Sequence, residues 1–265
     1  MEHNRDEKRE GREIRFGAPK NRPEKAHGKV YRWFDNFWYH HKWATIATLV
    51  LVVVLSVCIF QMCSREEEGD VTLITAGPYG FATNESGLSD LKKCLATYVA
   101  EDYNGNGMKD VTLHSYTIFS EAEAGEYESR VDENGESLGL TVNRYQNTQE
   151  YQSFTQYLTT GDAAILFLSS WLAEQYATTT NALVDLGGFL GATPENGVLA
   201  TVSGGKTVCY GVKLSETALW RENSAVRDNL PEDTVICMMV PGVLGNNADV
   251  ETYNRAVAML KALIR

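Results

Sequence analysis

The feature that most constrains this chain is a run of 19 residues without a charge. Ala44 to Met62 reads ATIATLVLVVVLSVCIFQM, β-branched and Leu-rich at its centre. At 1.5 Å rise per residue such a helix is roughly 28 Å long, close to the hydrocarbon thickness of a bilayer. A soluble core helix of that length normally keeps one polar face, and this run has none. The sequence therefore predicts a transmembrane helix over 44–63. Lys29, Arg32, His40, His41 and Lys42 precede it, and Glu66, Glu67, Glu68 and Asp70 come after it. The positive-inside bias places the N-terminus in the cytoplasm and the C-terminal part outside. The 43 residues ahead of the run are too long for an ordinary signal-peptide n-region, and no A-x-A site comes after it. An uncleaved signal anchor is expected. Cys58 and Cys63 are the cysteines open to lipidation, and Leu55-Ser56-Val57 ahead of Cys58 makes a poor lipobox.

Charge divides the chain in the same places. Residues 1–43 carry eleven Lys/Arg against seven Asp/Glu. Residues 65–265 carry thirteen against twenty-eight, a formal −15. Such a surface repels phosphates, which argues against nucleic acid as a partner. Residues 1–28 are rich in charge and poor in apolar groups, and a disordered cytoplasmic tail is expected. In 29–43 the stretch VYRWFDNFWYHHKW sets three Trp, two Phe and two Tyr among basic residues and histidines. Aromatic rings of this kind settle at headgroup level, so an interfacial helix leading into the span is expected. The alternative is an aromatic face for a partner.

Residues 71–265 are enough for one substantial core. Val71–Ala76, Val111–Phe119, Ala163–Leu168, Thr207–Leu214 and Thr234–Val240 read as strands, and AAILFL is apolar enough to be buried on both faces. Ser86–Glu101, Thr148–Leu158, Trp171–Ala177 and Val250–Ile264 read as helices, with Ser86 or Ser89 as N-cap of the first. Glu121 to Ser137 is acidic with an Asn-Gly turn and reads as an exposed insertion. Alternating strands and helices around one wholly apolar strand predict a three-layer α/β domain.

Several of these segments carry a resemblance. Glu150 to Leu168, EYQSFTQYLTTGDAAILFL, resembles the helix, Gly-Asp pair and third strand of extracellular solute-binding proteins of ABC importers, the type II periplasmic-binding-protein class. Trp171-Leu-Ala-Glu-Gln-Tyr176 and Leu183-Val-Asp185-Leu are similar to the next segments of that family. Gly205-Lys206-Thr-Val-Cys-Tyr210-Gly211-Val-Lys213-Leu214 resembles its G-K-x-Y-G-[IV]-P-L strand, with Lys213 in place of Pro. The resemblance implies a single solute-binding-like lobe. The family's second lobe would come after the Tyr-Gly-Val strand, and only about 20 residues separate Ser215 from Thr234. Two lobes closing on a ligand is not available within one such chain. The family is also usually lipidated or secreted rather than anchored by a span.

In an open α/β sheet, ligands sit beyond the carboxyl ends of the strands. Those ends carry Tyr79, Ser169, Ser170, Trp171, Ser215 and Glu216, aromatic and hydroxyl groups suited to a sugar or a peptide. The competing reading makes the aromatics sheet caps and the serines helix caps. Asp102-Tyr-Asn104-Gly-Asn106-Gly-Met-Lys-Asp110 matches the start of a calcium loop, with Leu113 where a bidentate Glu belongs. Weak Ca²⁺ binding through Asp102, Asn104, Asn106 and Asp110, or an Asx-rich turn, are its two readings. No other cofactor is expected.

Cys94, Cys209 and Cys237 are an odd count outside the span, Cys209 and Cys237 being able to pair if their strands adjoin. Gly204-Gly205-Lys206-Thr207 is an incomplete P-loop, because Ala200 stands where its first Gly belongs. Asn84-Glu85-Ser86 has the form of a glycosylation sequon. His114 is the one histidine beyond the span and lies on a strand, so catalysis has little support. The expectation is a non-enzymatic, single-pass cell-membrane protein whose outer domain recognises a small solute or an envelope protein, and the resemblance implies a place beside a transporter. The rival is a structural or assembly protein that docks another protein and binds no small molecule.

Overall fold

A computed structural model describes residues 28–63, 69–79, 84–180, 182–202, 204–242, 245 and 248–265. The expected disordered tail (residues 1–28) apart from Gly28, Glu66–Glu68 and the side chains of Lys29, Arg32 and Cys63 lie outside what is described. The chain divides into two compact units, Met1–Glu66 and Glu67–Arg265.

The first unit contains one described helix, α1 (Lys29–Cys63). The aromatic segment and the apolar run form a single 35-residue rod. Nothing in it interrupts the ladder: it has no Pro and no Gly. Its apolar side chains are exposed on all sides, with Leu49 65% and Ile59 60% accessible. Thr48 and Ser56 turn their hydroxyls back onto the carbonyls of Ala44 and Val52, at 2.9 and 2.7 Å. Their polar groups are thereby satisfied inside the helix. Trp33 stacks on Phe37, and Phe37 meets His41 at a tilt of 33°, one turn apart each time. The stretch Trp33–Phe60 is long and apolar enough to cross a membrane.

The second unit is built on six strands: β1 (Val71–Gly77), β2 (Val111–Thr117), β3 (Ile165–Leu168), β4 (Gly197–Thr201), β5 (Thr207–Lys213) and β6 (Val235–Met238). Their spatial order is β2-β1-β3-β6-β5-β4. β1 pairs in parallel with β2 and β3, while the β3–β6, β6–β5 and β5–β4 pairs are antiparallel. The helices are α2 (Glu85–Ala96), α3 (Glu121–Glu128), α4 (Arg144–Thr160), α5 (Ser170–Thr179), α6 (Leu186–Leu190), α7 (Ala218–Glu222), α8 (Ser224–Arg227) and α9 (Val250–Leu263).

Both faces of the sheet are covered, which gives the three layers expected from the pattern. On one face Leu73, Ile165, Phe167 and Ile236 pack with Leu91 and Leu95 of α2 and Met259, Leu260 and Leu263 of α9. On the other, Ile74, Leu166, Leu168 and Cys237 pack with Phe154 and Leu158 of α4 and Leu172 and Tyr176 of α5. Period-two alternation assigns the strand residues to their faces, except in β5, where a register shift against β4 around Tyr210 puts Cys209 on the same face as Val212.

Helix ends differ from the sequence reading where short-range capping decides them. α2 is capped by Asn84, whose side chain accepts from Gly87 N, rather than by Ser86 or Ser89. It stops at Ala96, short of Glu101. That cap gives the sequon asparagine a structural role. The supposed insertion after Glu121 begins as α3, started by a reciprocal capping box between Ser120 and Glu123. Its remainder closes in a Val131–Ser137 bridge. α4 starts four residues earlier than expected, at Arg144 behind its Asn143 cap, and ends on Gly161. That residue has φ +75°, a left-handed conformation that favours glycine. β4 and the helices α6, α7 and α8 have no counterpart in the sequence reading.

The amino end of the sheet is tied by Asp70, a buried carboxylate. Its Oδ1 accepts from the backbone N–H of Tyr103 and Asn104, and its Oδ2 from Asp110 N. Asp70 N donates in return to Asp110 Oδ1 at 3.0 Å. Asp70→Ala strands three amides at once and should cost about 3 kcal/mol or more, whereas Asp70→Asn, which keeps an acceptor oxygen, should cost less. Urea denaturation of the two variants in detergent measures the difference.

Candidate functional site

The carboxyl ends of β1, β3 and β5 and the amino ends of β4 and β6 share one edge of the sheet, because β6 alone of the central strands is reversed. A cleft of about 390 Å³ lies on that edge, lined by Ser170, Val198, Lys213, Ser215, Glu232, Asp233 and Val235. Each side chain is delivered by a backbone feature. Ser169 N donates to Ala76 O at 3.0 Å, and the Ser169 hydroxyl accepts from Leu172 N, so α5 begins over the end of β1. Lys213 is the last residue of β5, in register with Val235. A tight 3-10 turn, Leu214–Glu216, then carries Ser215 away from the sheet, fastened by Leu214 N to Thr234 O at 2.9 Å.

The charges in the cleft are of both signs. Lys213 Nζ lies 3.6 Å from Glu216 Oε1, an exposed pair. The Ser170 hydroxyl donates to Asp233 Oδ2 at 3.1 Å. Two valines supply an apolar floor between these groups. The arrangement offers hydroxyls, one ammonium and carboxylates over a narrow greasy base, which suits a small polar solute.

Of the six residues expected to line a ligand site, Ser170 and Ser215 are in the cleft. Glu216 reaches it through its pair with Lys213. Ser169 is buried and serves as the N-cap of α5. Tyr79 is a core residue, 1% exposed, with its hydroxyl 3.3 Å from Thr234 Oγ1. Burial drives its phenol far above the ordinary value. Trp171 is 38% exposed on α5, outside the cleft lining. Sequence reasoning missed Lys213, Glu232 and Asp233 as site residues. The signal for Lys213 was present: it stands where the resembled strand has Pro.

The Asx-rich loop spends its oxygens on its own backbone. Asp102 accepts from Gly105 N and Gly107 N, each at 2.8 Å; Asn104 accepts from Asn106 N, and Asn106 from Met108 N. Asp110 takes Asp70 N and the amides of Asn104 and Asn106. This is the geometry of successive Asx turns, and the oxygens face amides rather than one centre. Among the described residues no three His, Cys, Asp or Glu side chains group as metal ligands.

Cys209 and Cys237 lie on neighbouring strands but belong to opposite faces of the sheet, and both are free thiols. Gly204-Gly205-Lys206-Thr207 is the turn of the β4–β5 hairpin, closed by Val202 N to Lys206 O. Lys206 Nζ and Cys209 N both donate to Asp185, at 3.0 and 3.2 Å. Two of the segments that carry the resemblance therefore meet in space. The lysine pair holds the Asp185 carboxyl below its usual range.

No protein-family model, no curated protein and no solved structure matches this chain.

His114 sits on β2 with its ring 4.6 Å from that of Tyr157. Burial, helped by the charge of Lys92, lowers its pKa. The folded protein then holds a neutral imidazole that the unfolded chain would protonate. Stability from this group is complete above about pH 6.5 and is lost as pH falls below it. His114→Gln should flatten the fall in thermal midpoint between about pH 7 and pH 5, compared at equal ionic strength.

Proposed function

We propose that this chain is a single-pass membrane protein, anchored by α1 with its N-terminus in the cytoplasm. The α/β unit would be presented outside as a non-enzymatic recognition module, related in design to one lobe of a solute-binding protein. The observation that carries this reading is the strand-end cleft. It is where an open α/β sheet receives ligands, and Ser170, Lys213, Ser215 and Asp233 converge there from four separate elements or their ends. Recognition is favoured over catalysis because the Ser170 hydroxyl donates to Asp233, an exposed carboxylate and a weaker base than the histidine that commonly activates a serine nucleophile.

The resemblance adds support from position. The helix, the Gly161-Asp162 pair, β3 and α5 succeed one another as they do in solute-binding proteins. After the Tyr210-Gly211-Val212 strand the chain leaves through α7 and α8 and returns in β6, beside the strand it left. A short two-helix excursion thus stands where that family would insert a second lobe. A ligand held here would be covered on one side only, which favours a weak receptor or one completed by a transporter component.

A specific observation favours the docking reading as the second choice. The outer strand β4, Gly197–Thr201, has no charged residue or proline, and its Leu199 is 56% exposed. Such an edge accepts a partner strand more readily than a guarded one.

Two experiments test the proposal. Protease added to intact cells should remove the 69–265 unit and leave an N-terminal epitope protected; the reverse pattern overturns the orientation. Thermal unfolding of the full chain in detergent should respond to one class among amino acids, sugars and short peptides. At 100 times the dissociation constant the expected gain is about 2.7 kcal/mol, or roughly 5–10 °C. Asp233→Asn with Lys213→Gln should abolish that gain. A flat response across the panel turns the reading to docking.

A further inference from the structure

A second cavity, of about 280 Å³, opens at the other side of Tyr79, between the end of β2, α3 and the first turns of α4. Its walls carry Phe119, Tyr127, Val142, Gln146, Asn147 and Glu150. It shares no residue with the strand-end cleft.

The walls are fixed by interactions that a loose surface depression lacks. Asn147 clamps Phe119, its side chain accepting from Phe119 N at 2.8 Å and donating to Phe119 O at 2.9 Å. The Phe119 and Tyr127 rings lie 5.3 Å apart at 54°. Glu128, at the end of α3, accepts from Val142 N at 2.8 Å and pairs with Arg144 at 3.0 Å, which closes α3 onto the start of α4. Those bonds hold the Glu128 carboxyl below its usual range. Two aromatic rings are thereby held in place, and the nearest arginines are committed. Arg144 is shared between Glu128 and Glu121, and Arg130 lies 5.2 Å from the centre of the Tyr127 ring.

Against this aromatic wall stands Glu150. It is half-buried, and among the described residues it makes no hydrogen bond and no ion pair. It is also the one charged side chain among the described residues of the lining. A carboxylate without a counter-charge beside two rings is a poor seat for an anion and an incomplete one for a neutral solute. It is complementary to a cation with an apolar body, since the carboxylate attracts the charge and the aromatic side chains of the same lining receive the apolar part. The excess of acidic groups over 65–265 raises the local concentration of such ions further.

We propose that this cavity binds a small organic ammonium ion, its charge against Glu150 and its alkyl groups against Phe119 and Tyr127. The test is calorimetric titration of the full chain in detergent with choline, n-butylamine and 3,3-dimethyl-1-butanol, the uncharged carbon isostere of choline. Choline or butylamine should bind, and the isostere should bind at least tenfold more weakly. Glu150→Gln and Tyr127→Leu should each weaken the ammonium at least fivefold. Glu174→Gln, which removes an equal charge from the exposed side of α5, should leave binding unchanged. The proposal is overturned if neither ammonium binds at millimolar concentration, if the isostere binds equally well, or if Glu150→Gln binds like the parent protein.

Discussion

Everything in the α/β unit is arranged around β3, four residues that have no access to solvent from either face. Ile165 and Phe167 face the α2 and α9 layer, and Leu166 and Leu168 face α4 and α5. A strand buried on both sides must have its backbone paired on both edges, and β1 and β6 supply those pairs. The choice of β6, running against β3, is what turns the sheet from parallel to antiparallel. It brings the start of β6 and the end of β5 to the carboxyl edge of β3. The polar cleft is a consequence of that reversal.

Polar groups mark the two ends of this sheet in opposite ways. At the amino edge Asp70 is consumed by three amides, and the loop from Asp102 to Asp110 is consumed by its own turns. At the carboxyl edge Lys213, Asp233 and Glu232 remain at the surface. Buried, fully bonded carboxylates stabilise the scaffold; exposed, sparsely bonded ones are free to exchange water for a ligand. Bonding alone separates Glu128 from Glu150, since both are half-buried. The first is bonded to Val142 and Arg144, and the second is unpartnered among the described residues.

The aromatic residues show how burial reassigns a side chain that composition alone would give to a ligand. Tyr79 and Trp171 flank the same sheet end. The backbone after β1 turns inward, with Tyr79 N donating to Gly77 O, and this drives the Tyr79 ring into the core. Trp171, one residue inside α5, rides on the outer surface. Tyr127 and Phe119 form an organised aromatic wall because Asn147 and the α3 capping box hold them. No single one of those residues signals it.

The apolar run of α1, the helix through the aromatic segment, five of the six strands and the central position of AAILFL were all legible in the sequence. Each is a property of composition or of period along one segment. The α4 start was misplaced because Asn143 caps it locally. The edge strand β4 escaped because an edge needs little hydrophobic pattern of its own. The candidate cleft was half legible: the rule that ligands sit beyond strand ends picked out Ser170 and Ser215, which line it. Lys213, Glu232 and Asp233 join them only because β5 and β6 pair antiparallel. Cys209 and Cys237 make the same point, since adjacent strands brought them near while opposite sheet faces kept them apart. Segment-level pattern therefore determined which elements form. Long-range strand pairing, whose energy no local stretch contains, decided which of their ends meet.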